Sequence, residues 1–96
     1  MANPDEVITL KLGKSMTLAD AQNFYAATAA LRDDAFSGDI LIDAVENEVI
    51  EFPILQILAA VSAKASSNGS KIIWENPSIA LFEKSMELGL DEALGL

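Results

Sequence analysis

The sequence predicts a single α/β domain built on a largely parallel sheet. Three short apolar segments with the character of strands alternate with longer segments of helical period, and a short helical segment follows the third pair. Strands and helices that alternate in this way are joined by right-handed crossovers, which place neighbouring strands in parallel. With 96 residues, of which 51% are hydrophobic, the chain has room for one core, so we expect one domain over residues 1–96.

The first strand and the first helix are predicted between residues 7 and 31. Residues 1–5 are expected to form a flexible tail, and the alternation of apolar and polar residues over 7–12 predicts a half-buried strand. Thr17 can cap a helix that continues to Leu31. The face predicted to be buried contains Leu18, Ala21, Phe24, Tyr25, Thr28 and Leu31. Its two aromatic residues are interpreted as core, with a stack for a ligand as the alternative.

A central strand and the second helix follow. Ile40, Leu41 and Ile42 form a continuous apolar run, which predicts a buried strand with little alternation. A polar loop comes next, and Pro53 suits the first turn of a helix that begins at Phe52 or Pro53. The predicted core face of that helix has Ile54, Ile57, Leu58, Val61 and Ala65, and the opposite face has Gln56, Ala60, Ala63 and Ser67. Neither Glu51 nor Phe52 is a preferred N-cap residue, which marks this helix start as a candidate functional position.

The last third of the chain predicts a strand over residues 71–75, in which Trp74 packs in the sheet. Before it, Gly69 suits a left-handed position at the end of the second helix. A third helix is expected to use Ile79, Leu81, Phe82, Met86 and Leu88 as its apolar anchors. Gly89 ends that helix, and Asp91 begins a last short turn.

The composition excludes several classes of function. The chain has no cysteine and no histidine, so it lacks a thiolate nucleophile, a zinc-thiolate site and the commonest general base. Fifteen acidic and six basic residues give a net charge of −9, which opposes binding to nucleic acids and to anionic membranes. This acidity reflects either solubility or a basic protein partner. We expect a cytoplasmic protein, since no apolar segment is long enough to insert in a membrane and the first residues lack the basic start of a secretory signal.

Four segments together resemble a STAS domain, the class named for sulphate transporters and anti-σ factor antagonists. They are LKLGKSMTLADA at 10–21, ILIDAVENEVIEFPILQIL at 40–58, SSNGSKIIWENPS at 66–78 and LFEKSMELGLDEAL at 81–94. The resemblance covers nearly the whole chain from about Val7. It implies a small mixed, mostly parallel sheet with helices packed mainly on one face, and a partner-binding surface around the start of the second main helix.

In phosphorylatable STAS domains, that helix start has an Asp-Ser-Ser-Gly or Asp-Thr-Ala-Gly type sequence whose hydroxyl receives a phosphate from a partner kinase. Here Phe52 and Pro53 stand at the hydroxyl positions, between Glu51 and Ile54. Neither side chain has an oxygen, so the usual phospho-switch cannot operate there. In this respect the chain is similar to stand-alone STAS-like proteins encoded with chemotaxis genes. Ser62, Ser66, Ser67 and Ser78 are alternative hydroxyls, although exposed serines beside turns are ordinary.

The resemblance implies a partner-binding site with six residues: Glu46, Glu48, Glu51, Phe52, Pro53 and Gln56. Phe52 is either an exposed anchor for a partner or a staple tucked under the loop. The carboxylates form either an acidic rim or an ordinary solvated loop. No catalytic, cofactor-binding or metal-binding residue is predicted, because the carboxylate spacing matches no calcium loop and the acidic loop repels phosphate.

The sequence therefore predicts a non-enzymatic signalling adaptor that docks a kinase, an anti-σ type protein or a chemotaxis signalling protein. The alternative is a cytoplasmic accessory subunit of a membrane transporter of the ABC type, which would bind the ATPase subunit. Both functions would use the same surface, and a weak homodimer is left open.

Overall fold

The computed structural model describes residues 7–34 and 36–96, which form two small parallel sheets and a layer of helices. The strands are β1 (Val7–Lys11), β2 (Ser15–Met16), β3 (Asp39–Asp43), β4 (Val49–Ile50) and β5 (Ile72–Glu75). The helices are α1 (Ala21–Ala27), α2 (Phe52–Ser67), α3 (Ile79–Glu87) and α4 (Asp91–Leu94), and short 3₁₀ helices flank α1 at Leu18–Asp20 and Ala29–Arg32. The predicted tail, residues 1–5, lies outside the described residues.

The main sheet has the strand order β1-β3-β5, and both of its strand pairs are parallel. Its register aligns Thr9 with Leu41 and Leu41 with Ile73. The second sheet pairs β2 with β4, also in parallel. The predicted α/β class with a mostly parallel sheet is confirmed, and all three long strands lie where the sequence predicts them.

One face of the main sheet is covered and the other is open. Ile40 and Ile42 are at most 1% exposed and belong to the core. Leu41 between them is only half-buried, and Ile73 in the same row is 43% exposed. The prediction of little alternation over residues 40–42 is therefore wrong. Successive side chains of a strand point to opposite faces, and the helices cover only one face of this sheet.

Helix α2 is the centre of the helical layer. It contacts α1, the 3₁₀ helix Ala29–Arg32 and α4. Its buried residues are Ile54, Leu55, Leu58, Val61 and Ala65. Burying each large aliphatic side chain contributes about 1.5–3 kcal/mol relative to leaving it exposed. The predicted core face is largely correct, with Leu55 as an added member and Ile57 half-buried. The helix ends as predicted, with Gly69 in the left-handed region at φ 76°.

The first helix is shorter than predicted, and its two aromatic residues have different environments. Phe24 is 7% exposed and belongs to the core, whereas Tyr25 is 57% exposed. The fully buried Thr28 marks the break between the α-helix and the 3₁₀ helix that follows, and its hydroxyl donates to the Phe24 carbonyl at 3.0 Å. Arg32 lies over the Tyr25 ring, 3.8 Å from its centroid. The prediction that Tyr25 is core is thus wrong, as it is for Leu18, which is 67% exposed.

Helix α3 is also less buried than predicted. Of its five predicted anchors only Leu81 is buried, and the buried residue one turn later is Ser85. Helix α3 contacts β4 and α4 at the periphery of the fold, so a narrow strip of its surface is covered. The other four predicted anchors, Ile79, Phe82, Met86 and Leu88, are exposed. By contrast, Trp74 packs against the core as predicted, and its indole N–H donates to the Leu94 carbonyl at 2.7 Å.

Candidate partner-binding site

The start of α2 is held by its neighbours in space rather than by a side-chain cap. Glu51 is the N-cap residue, in extended conformation, and its side chain makes no cap hydrogen bond to α2. Phe52 and Pro53 are the first two helical residues, as predicted. The Glu51 carboxylate instead accepts a hydrogen bond from the Leu18 amide at 2.7 Å. One acidic side chain thus links the start of α2 to the segment that leads into α1.

The two-residue strands β2 and β4 place these segments side by side. Their register pairs Ser15 with Val49 and Met16 with Ile50. The Glu51 amide then donates to the Met16 carbonyl at 2.9 Å, which extends the contact to the first residue before α2. The sequence did not predict these strands, because two residues carry too little pattern to show a period.

Asn47 fixes the loop that precedes β4. The residue is 4% exposed, and its side-chain amide group donates to the carbonyls of Gly13 at 2.8 Å and Val49 at 3.0 Å. A buried polar group of this kind is costly to leave unpaired, so these bonds strongly favour one loop conformation. Asn47 is therefore a positioning residue, a role that its place in a polar segment of the sequence does not reveal.

Three exposed apolar residues belong to the start of α2 or to segments that are hydrogen-bonded to it or lead into it, and we call them the apolar rim: Leu18, Val49 and Phe52. They are 67%, 49% and 43% exposed, respectively. Phe52 is therefore not tucked away as a staple, and its ring is available to a partner. Leu18 and Val49 are members that the sequence analysis missed. The spacing along the predicted helix assigns Leu18 to the core, and Val49 lies in a segment whose composition predicts a polar loop.

Each of the three predicted carboxylates has a partner within the molecule. Glu46 pairs with Lys11 at 3.4 Å and Glu48 pairs with Lys14 at 3.5 Å, while Glu51 accepts from Leu18. Ion pairs this exposed contribute at most about 1 kcal/mol each. The acidic loop is consequently balanced locally by lysines, and the apolar rim is the more distinctive feature of this surface.

The remaining predicted residues continue the surface along α2. Pro53 is half-buried, and Gln56 is exposed one turn after Phe52. Ala60, Ala63 and Ser67 follow on the exposed face, so the surface beyond Gln56 is flat. A cleft of about 210 Å³ separates β4 from α3 and borders the apolar rim at Val49; it is lined by Glu48, Val49, Ile50, Ala80, Leu81 and Lys84.

Phe52 and Pro53, at the positions that the resemblance equates with a phosphoacceptor, have hydrocarbon side chains and present no hydroxyl. Within residues 7–34 and 36–96, no group of three or more histidine, cysteine, aspartate or glutamate residues is placed to hold a metal ion. In the same residues, no helix combines the length and the apolar character that a membrane crossing needs.

Comparison with known proteins identifies the fold. No protein-family profile and no curated protein matches the chain significantly. Among solved structures, the chain is similar to a sulfate transporter family protein from Wolinella succinogenes, with a TM-score of 0.73 over 98% of this chain and 83% of that one. The fold is STAS-like.

The STAS-like fold agrees with the resemblance read from the sequence. The sequence identity to the Wolinella succinogenes protein is 14%, so the similarity establishes the architecture alone. In this chain the architecture consists of a parallel main sheet with helices on one face, and α2 lies at the centre of the helical layer.

Proposed function

We propose that this protein is a non-enzymatic signalling adaptor whose surface at the start of α2 docks a kinase, an anti-σ type protein or another chemotaxis or σ-factor signalling protein. The observation that carries the proposal is the exposure of Phe52 at the first position of α2. A large apolar ring stands there in place of the hydroxyl that phosphorylatable STAS domains use as a switch.

The apolar rim has the features of an interface centre. Leu18, Val49 and Phe52 are anchored to backbone segments that are hydrogen-bonded to one another, so little conformational entropy is lost when a partner covers them. Exposed aromatic residues on rigid elements are common hot spots of binding. Pro53 and Gln56 extend the contact along α2, and Glu46, Glu48 and their lysine partners form its charged border.

Without a hydroxyl at this position, the interaction is not switched by phosphorylation of Phe52 or Pro53. Control then comes from the amount of the protein or from modification of its partner. The docking surface is therefore able to bind its partner at all times. This suits a protein that controls a kinase through the fraction of kinase molecules to which it is bound.

A capture experiment tests this proposal. Tagged wild-type protein and Phe52→Asp are incubated in parallel with native lysate, and the retained proteins are identified by mass spectrometry. Phe52→Asp is expected to fold normally and to lose the partner. Ile73→Asp is a matched control, because Ile73 has the same 43% exposure but lies on the open face of the sheet. Equal retention by wild type and Phe52→Asp would contradict the proposed surface.

The second candidate function is an accessory subunit of a membrane transporter of the ABC type. The observation in its favour is the structural similarity to a protein described as a sulfate transporter family member. Retention of a transporter ATPase by wild type and not by Phe52→Asp would support this function, and retention of a signalling kinase would support the first. Neighbouring genes for transporter subunits or for chemotaxis and σ-factor control distinguish the same two functions.

A further inference from the structure

Helix α3 has an exposed apolar surface that the proposed adaptor site does not use. Ile79, Phe82 and Met86 are 77%, 41% and 54% exposed. Their spacing of three and four residues places them in one line along the helix, and we call this line the α3 stripe. Single exposed apolar residues are ordinary on a protein surface, but a continuous line of three large ones marks an interaction surface.

The α3 stripe is separate from the start of α2. Ala80, Leu81 and Lys84 line the cleft toward β4, and β4 leads directly into α2. At 3.6 residues per turn, the stripe lies roughly 150° around the helix axis from Ala80 and Lys84, which line the cleft. A partner bound at the apolar rim therefore approaches α3 from its other side.

The border of the stripe is acidic. Glu83 and Glu87 are both exposed and lie along one side of the stripe, about 40° and 80° around the helix axis from Ile79, between the stripe and Lys84. Lys84, the one basic residue of α3, is turned toward the cleft beside β4. The whole chain has a net charge of −9, so the electrostatic field of the protein has the same negative sign as this border.

We propose that the α3 stripe docks one amphipathic helix of a protein partner, with apolar residues at helical spacing and lysines or arginines along their border. The stripe from Ile79 to Met86 is about 10 Å long, which is the length over which one crossing helix makes contact. Basic side chains on the partner would meet Glu83 and Glu87, and apolar ones would cover Phe82.

The charge distribution disfavours two other occupants. Packing the stripes of two copies together would bring Glu83 and Glu87 near their counterparts on molecules that each have a net charge of −9. An anionic membrane surface would face the same repulsion. This inference does not depend on the adaptor site at α2, since the two surfaces share no residue.

A binding measurement with two designed peptides tests the proposal. One probe is a fluorescent 18-residue amphipathic peptide of leucine and lysine, and the other has glutamate in place of every lysine. Fluorescence anisotropy is expected to show binding of the lysine peptide to wild type and at least tenfold weaker binding to Phe82→Asp. Ile73→Asp adds the same charge on the open face of the sheet, at a residue that is 43% exposed against 41% for Phe82, and should bind the lysine peptide as wild type does. The glutamate peptide should not bind wild type.

A second set of binding measurements reverses the charge of Glu83 and Glu87 at the border of the stripe. Glu83→Lys combined with Glu87→Lys should weaken binding of the lysine peptide and allow binding of the glutamate peptide, because only the border changes sign. Far-UV circular dichroism checks that each variant is folded, and Met86→Asp replaces Phe82→Asp if that variant is not. Equal affinity of the lysine peptide for wild type and the stripe variant would overturn the proposal, since attraction to the net charge alone would then explain binding.

Discussion

Glu51 shows how one side chain can serve the fold at a position where the resemblance implied a docking role. Its carboxylate accepts from the Leu18 amide across 33 positions of sequence. This bond holds the segment before α1 against the start of α2, the two segments that contribute Leu18 and Phe52 to the apolar rim. Glu51 thus positions the surface that a partner would contact.

We expect Glu51→Ala to lower the free energy of unfolding by about 1 kcal/mol, because the Leu18 amide loses a charged acceptor. The bond is exposed, which keeps the effect small. Urea denaturation followed by the fluorescence of Trp74 measures it. Glu51→Gln is the control, since its carbonyl oxygen can still accept and should restore most of the stability. An alanine variant as stable as wild type would show that the bond does not hold the two segments together.

At the scale of single elements, α3 depends on its cap more than the buried helix α2 does. The Ser78 hydroxyl accepts from the Leu81 amide at 3.0 Å, and only Leu81 and Ser85 of this helix are buried. We expect Ser78→Ala to cost about 1 kcal/mol of stability, and Ser78→Asp to remain close to wild type because aspartate is an equally good N-cap residue. Urea denaturation compares the two. Equal loss in both variants would contradict a capping role for Ser78.

The sequence predicted the buried elements better than the peripheral ones. In α2 the apolar residues recur at helical spacing and the helix packs against the sheet, so pattern and burial agree. In α3 the same kind of pattern is present, but α3 lies beside β4 and α4 and buries only a narrow strip. Apolar residues at helical spacing identify a helix. They do not show whether the face that they form packs against another element of the same chain.

Only part of the candidate site can be predicted from the sequence, and the reason is similar. The start of α2, with Phe52 and Pro53, is a local feature that the order of residues reveals. Leu18 and Val49 join it only through the pairing of β2 with β4, which links residues more than thirty positions apart. Such short strands leave no periodic signal, so the complete apolar rim becomes visible only in the folded chain.

At the scale of the whole molecule, charge acts in two opposing ways. The chain has fifteen acidic residues and six basic ones. Among the residues that the structure describes, three ion pairs connect lysines to acidic residues: Lys11 with Glu46, Lys14 with Glu48 and Lys64 with Asp34. Pairs at an exposed surface contribute little, whereas the excess of negative charge repels itself across the whole fold.

We therefore expect sodium chloride to stabilise the protein. Raising it from about 20 mM to about 300 mM shortens the screening length to below 10 Å and weakens the long-range repulsion more than the close ion pairs. The melting temperature, measured by circular dichroism, should rise. Glu83→Lys combined with Glu87→Lys is the matched control, because it removes two negative charges and adds two positive ones on an exposed face, and its melting temperature should respond less to salt. A melting temperature that falls as chloride is added would show that the ion pairs, among them the two at the border of the apolar rim, outweigh the repulsion of the net charge.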